Sequence, residues 1–195
     1  MPHRYDPDVR HRRSIRLAGF DYAAAGVYFV TIVTQQRLPV LGAVADGVTE
    51  LSSAGAMVAH WWDRLPSKFP NVQLDVSVVM PNHIHGVLAF SEEVDEPVGA
   101  APRGRPEPNP TPGGRPHGAA PTLGDVITWF KTMTTNAYFR GVKEYHWGPV
   151  PARLWQRNYY EHVVRSPEDL DRLLRYIEQN PARWGEDEEN PDRRP

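Results

Sequence analysis

Cysteine is missing from the chain, which excludes disulfides, thiolate zinc sites and a cysteine nucleophile. Long apolar runs are missing too. Nothing approaches the roughly 18 consecutive apolar residues of a membrane-spanning helix, and no apolar signal segment follows the start. A cytoplasmic protein without a membrane partner is the expectation. Strong net charge is also lacking, at −2 for 195 residues. The sum does not advertise a nucleic-acid binder, but its distribution is uneven. Arg4, Arg10, Arg12, Arg13 and Arg16 crowd the beginning, while Glu186, Asp187, Glu188, Glu189 and Asp192 crowd the end.

The length suits one domain with a real core. Residues 1–20 form a basic arm with no sustained apolar period. Arg10, Arg12, Arg13 and Arg16 suit phosphate contacts, and a solvated tail explains them equally well. The domain spans 21–184, and 185–195 reads as an acidic tail. Within the domain, 91–121 is an insertion in which Pro97, Pro102, Pro106, Pro108, Pro110, Pro112, Pro116 and Pro121 alternate with glycines. Such a segment buries too little apolar surface to offset its ordering entropy, so it is expected to be an extended or disordered loop.

The chain is organised around Val78-Val79-Met80-Pro81-Asn82-His83-Ile84-His85-Gly86-Val87-Leu88. On a strand, His83 and His85 point the same way, roughly 7 Å apart at the backbone, with Ile84, Leu88 and Phe90 on the other face. Two parallel imidazoles are half of a metal site, a clamp for an anion, or two ordinary histidines on a half-exposed face.

Around them, Val27–Thr34 reads as a central strand. Met57, Val58, Trp61, Trp62 and Leu65 recur at helical spacing, with Ser52 or Ser53 as cap and Pro66 and Pro70 as stops. Residues Val72 to Met80 alternate as a half-buried strand, joined to the histidine strand by the tight turn Pro81-Asn82. Thr122-Leu123-Gly124-Asp125 resembles a capping box for a helix expected to stop at Gly141. Leu154 to Arg165 reads as an aromatic-rich strand. Ser166-Pro167-Glu168-Asp169 starts a last helix that Pro181 ends. The order strand, helix, strand, strand, helix, strand, helix implies an α+β class: an antiparallel sheet with helices mainly on one face, ferredoxin-like or RRM-like in outline.

On the last helix, Leu170, Leu173, Leu174 and Ile177 form the buried stripe. Tyr176 and Asn180 make an i, i+4 pair on its flank that can face a shared site. Taken alone, they are also explained as a rim tyrosine and an asparagine before proline.

Three pieces in order carry a resemblance: Met80-Pro81-Asn82-His83-Ile84-His85, Leu154-Trp155-Gln156-Arg157-Asn158-Tyr159-Tyr160-Glu161-His162, and Arg175-Tyr176-Ile177-Glu178-Gln179-Asn180-Pro181. They resemble the REP-associated tyrosine transposases, of the single-tyrosine His-hydrophobic-His (HUH) transposases, from about Val27 to Trp184. The resemblance implies an HUH nuclease fold and an endonuclease and strand transferase working in DNA transposition and recombination. Such an enzyme cleaves and rejoins single-stranded DNA near REP hairpins, without a nucleotide cofactor, as a monomer or homodimer. It implies that His83, His85 and Asn180 bind Mg²⁺ or Mn²⁺ and that Tyr176 is the nucleophile. Glu161 or His162 would support the ligands or simply pack in the strand. The proline-rich insertion departs from the compact family pattern.

Two other readings stand beside this one. A catalytically silent hairpin-binding protein would not need Tyr176, His83 and His85. An RNA-binding sheet with Tyr159 and Tyr160 as stacking platforms leaves the histidine pair without a purpose. A metal-dependent hydrolase is weaker, for want of a carboxylate base beside the pair.

Overall fold

The computed structural model describes residues 26–91 and 121–193. The basic arm with Arg10, Arg12, Arg13 and Arg16, and nearly all of the proline-rich insertion, lie outside the described residues.

Four strands form one antiparallel sheet in the order β4 (Val72–Met80), β5 (His83–Phe90), β1 (Val27–Val33), β6 (Tyr160–Val164). Helix α1 (Ser53–Asp63) connects β1 to β4, and α3 (Leu123–Tyr145) connects β5 to β6. This is the expected ferredoxin-like βαββαβ plan. A third long helix, α4 (Pro167–Gln179), follows it. Between β1 and α1 lies a small hairpin, β2 (Gly42–Ala45) and β3 (Val48–Leu51), and the short α2 (Leu65–Lys68) follows α1. The hairpin was not expected. Its signal was Asp46-Gly47, both with positive φ (51° and 75°), the backbone a tight hairpin turn demands.

Each face of the sheet has its own core. On one, Val30, Ile32, Ile84 and Leu88 meet Val58 and Trp62 of α1 and Val126, Ile127 and Phe130 of α3. On the other, Val27, Phe29, Val87, Ala89 and Val164 receive the expected α4 stripe of Leu170, Leu173, Leu174 and Ile177. Two long helices thus cover one face and α4 the other, which is the histidine face.

The helix starts follow their caps. Ser52 accepts from the Gly55 amide, Thr122 and Asp125 form the reciprocal box, and Ser166 accepts from the Asp169 amide. Gly141 does not stop α3, which runs on to Tyr145 and is capped by His146 at φ 58°. Its role is close approach, since an added Cβ would lie 2.3 Å from the Trp147 ring.

Two strand expectations need correction. The alternation from Val72 to Met80 is broken by a bulge, with Leu74 opposite Leu88 but Ser77 opposite Gly86. Val72 and Leu74 therefore join the α1 face, and Val76 and Val78 the α4 face. The aromatic stretch from Leu154 is not one strand: Trp155 makes an isolated bridge to Thr34, the chain then loops out, and continuous pairing starts only at Tyr160–Val164. Between the bridge and β6, the Lys131 ammonium donates to the carbonyls of Gln156, Arg157 and Asn158 at 3.0, 3.2 and 3.1 Å. Those acceptors serve a helix side chain and not a neighbouring strand.

Gly86 sits directly behind the histidine pair. The Trp62 indole fills the space of its missing side chain, and an added Cβ would meet the ring at 2.2 Å. Gly86→Ala should lower unfolding free energy by about 1–3 kcal/mol, the usual cost of overpacking. Denaturant titration measures it. Trp62→Phe, with its smaller ring, should be less destabilising in the Gly86→Ala background than alone; additive effects would refute the contact.

Candidate active site

His83 and His85 begin β5, where pairing to β1 sets Thr31 opposite His85. Their Nε2 atoms converge to 2.9 Å. The pair was expected to face a surface, yet the side chains are 0 % and 2 % exposed. Phe29 stacks on His85 with centroids 5.4 Å apart, and the Trp184 ring lies 6.0 Å from that of His83. Burial pushes His83 down to about 3. It also holds His85 well below its ordinary value, helped by His83 and opposed by Asp187. Both rings are neutral at pH 7, as metal ligands must be.

Asn82 decides which nitrogen of His83 carries hydrogen. Its Nδ2 donates to the carbonyls of Arg37 (3.1 Å) and Glu189 (2.7 Å), so its Oδ1 faces His83 Nδ1 at 2.8 Å. A carbonyl oxygen only accepts, so Nδ1 is protonated and Nε2 keeps its lone pair. His85 Nδ1 lies 2.8 Å from the Thr31 hydroxyl, which can donate or accept and so tolerates either tautomer.

A third ligand atom comes from Asp187. Its carboxylate lies within 4.8 Å of both imidazole nitrogens, and Oδ2 is 4.0 Å from His83 Nε2. Asp187 was expected in an acidic tail outside the domain. Instead the chain turns through a 3₁₀ segment at Pro181–Glu186 and buries it. Trp184 was the available signal, an aromatic side chain among charges. Asn180, implied as a ligand by the family resemblance, is buried and donates through Nδ2 to Asp187 Oδ2 at 2.7 Å. Its Oδ1 has no partner among the described residues. A buried orphan oxygen is costly unless something fills its place. Two neutral imidazoles, a carboxylate and an unsatisfied amide oxygen suit a divalent cation.

The Tyr176 hydroxyl is 3.4 Å from His85 Nε2, and its ring packs edge-on to Phe29 with centroids 6.0 Å apart. Burial pushes it up to about 12; Asp187, Glu188 and Glu189 add to this and a hydrogen bond from Asn180 opposes it. Tyr176 and Asn180 thus share one site, as their spacing allowed. The cleft, about 540 Å³, has Phe29, His85, Tyr160 and His162 along the sheet. Tyr176 and Arg172 come from α4, with the Asp187–Glu189 segment on the other side.

The two proposed supporting residues part company. His162 lines the cleft, but its Nε2 bonds Asp169 at 2.7 Å and not a ligand. Glu161 pairs opposite Val30 on the other side of the strand and hydrogen-bonds Tyr159. The structure does not bring Glu161 to the histidines.

No family model matches the sequence. An uncharacterised Haemophilus influenzae protein is 30 % identical over 188 residues, covering 96 % of this chain and 98 % of its own. A second protein of that organism, named as a REP-associated tyrosine transposase, is 25 % identical over 168 residues. That match covers 85 % of this chain and 75 % of the relative. Among solved structures, a REP-associated tyrosine transposase bound to a REP hairpin aligns with a TM-score of 0.53 at 18 % identity. The alignment covers 85 % of this chain and 72 % of that one, which is agreement in fold. The chain is thus similar over most of its length to a named REP-associated tyrosine transposase, and it shares the fold of the solved one.

Proposed function

We propose that the protein cleaves and rejoins single-stranded DNA beside hairpins, with Tyr176 as nucleophile and Mg²⁺ or Mn²⁺ held by His83, His85 and the Asp187–Asn180 pair. The likeness to a named REP-associated tyrosine transposase supports an enzyme acting on DNA, and the solved relative's REP hairpin supports hairpin DNA as partner. The observation that carries the chemistry is the Tyr176 hydroxyl at 3.4 Å from His85 Nε2, one of the two converged imidazole nitrogens.

In this reading the Tyr176 oxygen bonds to phosphorus while the bond to the 3′ oxygen breaks. A 5′-phosphotyrosine and a free 3′-hydroxyl result. The tyrosine gives up its proton and the leaving 3′ oxygen gains one, so the reverse reaction can join a new 3′-hydroxyl. The bound cation supplies polarisation of the phosphate oxygens. Asn82 and Thr31 hold the imidazoles, Phe29 and His85 fix the tyrosine ring, and Asn180 sits between nucleophile and carboxylate. With its pKa near 12, Tyr176 is protonated at neutral pH, so proton removal is part of the barrier.

Because the histidines are buried, isosteric changes test the site better than alanine. Asp187→Asn and His85→Gln should each weaken Mn²⁺ binding at least about tenfold by calorimetry with the fold retained. Unchanged affinity in both would show the cation site to be misplaced.

Tyr176→Phe should abolish the covalent protein–DNA band on hairpin DNA with Mn²⁺. Mn²⁺ affinity and hairpin binding should stay within about twofold, as removing one hydroxyl at a flank position disturbs little. Persistence of the band, or peptide mapping of the nucleotide to Tyr159 or Tyr160, would reject the assignment. A silent hairpin-binding protein would give no band with any variant, the unmodified protein included.

Removing residues 1–20, with Arg10, Arg12, Arg13 and Arg16, should weaken hairpin binding and flatten its salt dependence, by up to about 0.9 in slope for each phosphate the arm neutralises. Identical slopes would assign the arm to solvent.

A further inference from the structure

Tyr159 and Tyr160, equal rivals in sequence, have opposite surroundings. Tyr159 is engaged, with Lys131 Nζ 5.3 Å from its ring centroid and Glu161 on its hydroxyl. Tyr160 is 59 % exposed and lines the same cleft as Tyr176. The register sets it opposite Thr31, on the sheet face that carries His85. Its ring rests edge-on against Phe29 with centroids 6.2 Å apart, while Tyr176 meets the same phenylalanine at 6.0 Å. Two tyrosines therefore flank one buried aromatic ring. One has its hydroxyl at the histidines, and the other leaves most of its surface to solvent.

Charge in the cleft is equally one-sided. Asp187, Glu188 and Glu189 line one wall. Among the described residues lining the cleft, Arg172 alone carries a permanent positive charge, one helical turn before Tyr176. Its guanidinium is held by Asp169, which also accepts from or pairs with His162 Nε2. A polyanion meets repulsion along the acidic wall and attraction at Arg172. A planar apolar group finds its platform at Tyr160. Both features belong to the β6–α4 side.

We propose that Tyr160 and Arg172 form a subsite for one unpaired nucleotide next to the phosphate that Tyr176 attacks. The Tyr160 ring stacks on the base and Arg172 meets its phosphate. This deepens the cleavage reading and rests on it, adding which side of the cleft the strand takes and why it must be single-stranded. A base inside a duplex has both faces covered by its neighbours and offers none to Tyr160. Stacking on one ring is tolerant of base identity, so this subsite senses strandedness and leaves sequence to other contacts. The cleft volume of about 540 Å³ falls within the about 300–1,000 Å³ of pockets that take groups of this size.

The test uses the full chain without divalent cation, so that no cleavage intervenes. The probe is a short oligothymidylate carrying one 2-aminopurine, whose fluorescence is quenched by stacking. Tyr160→Ala should weaken binding about 5- to 150-fold and lose the quenching. Tyr160→Phe should retain both, because the ring face is kept. Arg172→Gln should weaken binding and reduce the salt slope by about 0.7, the share of one single-strand phosphate. Annealing the probe to its complement should abolish binding at this subsite. Equal quenching by Tyr160→Ala and the unmodified protein would overturn the proposal, as would failure of Tyr160→Phe to rescue it. Adduct formation with Mn²⁺ separates this from the parent reading. An adduct with unchanged quenching in Tyr160→Ala sinks the subsite alone, whereas lost quenching without any adduct in the unmodified protein supports the subsite and sinks the nuclease.

Discussion

One side-chain amide ties this molecule's site together. Asn82 is fully buried in the turn between β4 and β5, and each of its polar atoms has a separate duty. Its nitrogen captures carbonyls from Arg37 and Glu189, which lie 45 and 107 residues away in sequence. Its oxygen fixes the His83 tautomer. A buried amide in this position must satisfy its donors, and in doing so it draws the C-terminal segment against the histidine strand. The Arg37–Glu189 ion pair at 2.9 Å closes the same junction from the solvent side, where it adds little energy by itself. The placement of Asp187 follows from that closure. So does the acidic wall of the cleft.

The two faces of the sheet divide the work. The α1 and α3 face is built from large apolar residues and makes the domain fold. The α4 face is smaller and exchanges part of its apolar surface for imidazoles, a carboxylate and two tyrosines. Its stability rests on the four-residue stripe of α4 over Phe29, Val87, Ala89 and Val164. Phe29 belongs to this core and to the site at once. It stacks on His85 and buttresses both Tyr160 and Tyr176, so the geometry of the cleft's side chains is inherited from core packing.

Much of this was legible in the sequence because it depends on short-range rules. Period-two alternation placed His83 and His85 on one face, helical period placed Tyr176 beside Asn180, and capping chemistry located Ser52, Thr122 and Ser166. Where the reading failed, a distant residue had overruled the local signal. Lys131 takes the carbonyls of Gln156, Arg157 and Asn158, where the chain loops out between the Trp155 bridge and β6. Trp147 explains Gly141 as a packing contact, and the Leu74–Ser77 bulge divides a stretch whose alternation looked uniform. Asp187 was hidden for the same reason. Trp184 marks the segment as one that packs, but it does not single out Asp187 among its acidic neighbours; contact with His83 and Asn180 does so.

The glycine behind the pair carries a consequence for the proposed cation site. With Trp62 filling the space at Gly86 on one side and Phe29 and α4 covering the other, the histidine strand has little freedom to move along the sheet normal. The distance between the two imidazole nitrogens is therefore a property of the packed interior and not of whatever ion arrives. An ion whose radius or coordination number calls for a wider opening must deform a close-packed core, whereas in a flexible loop it would rotate two side chains. At the proposed cation site, selectivity by size would thus rest on the tryptophan–glycine contact on the opposite face of the sheet.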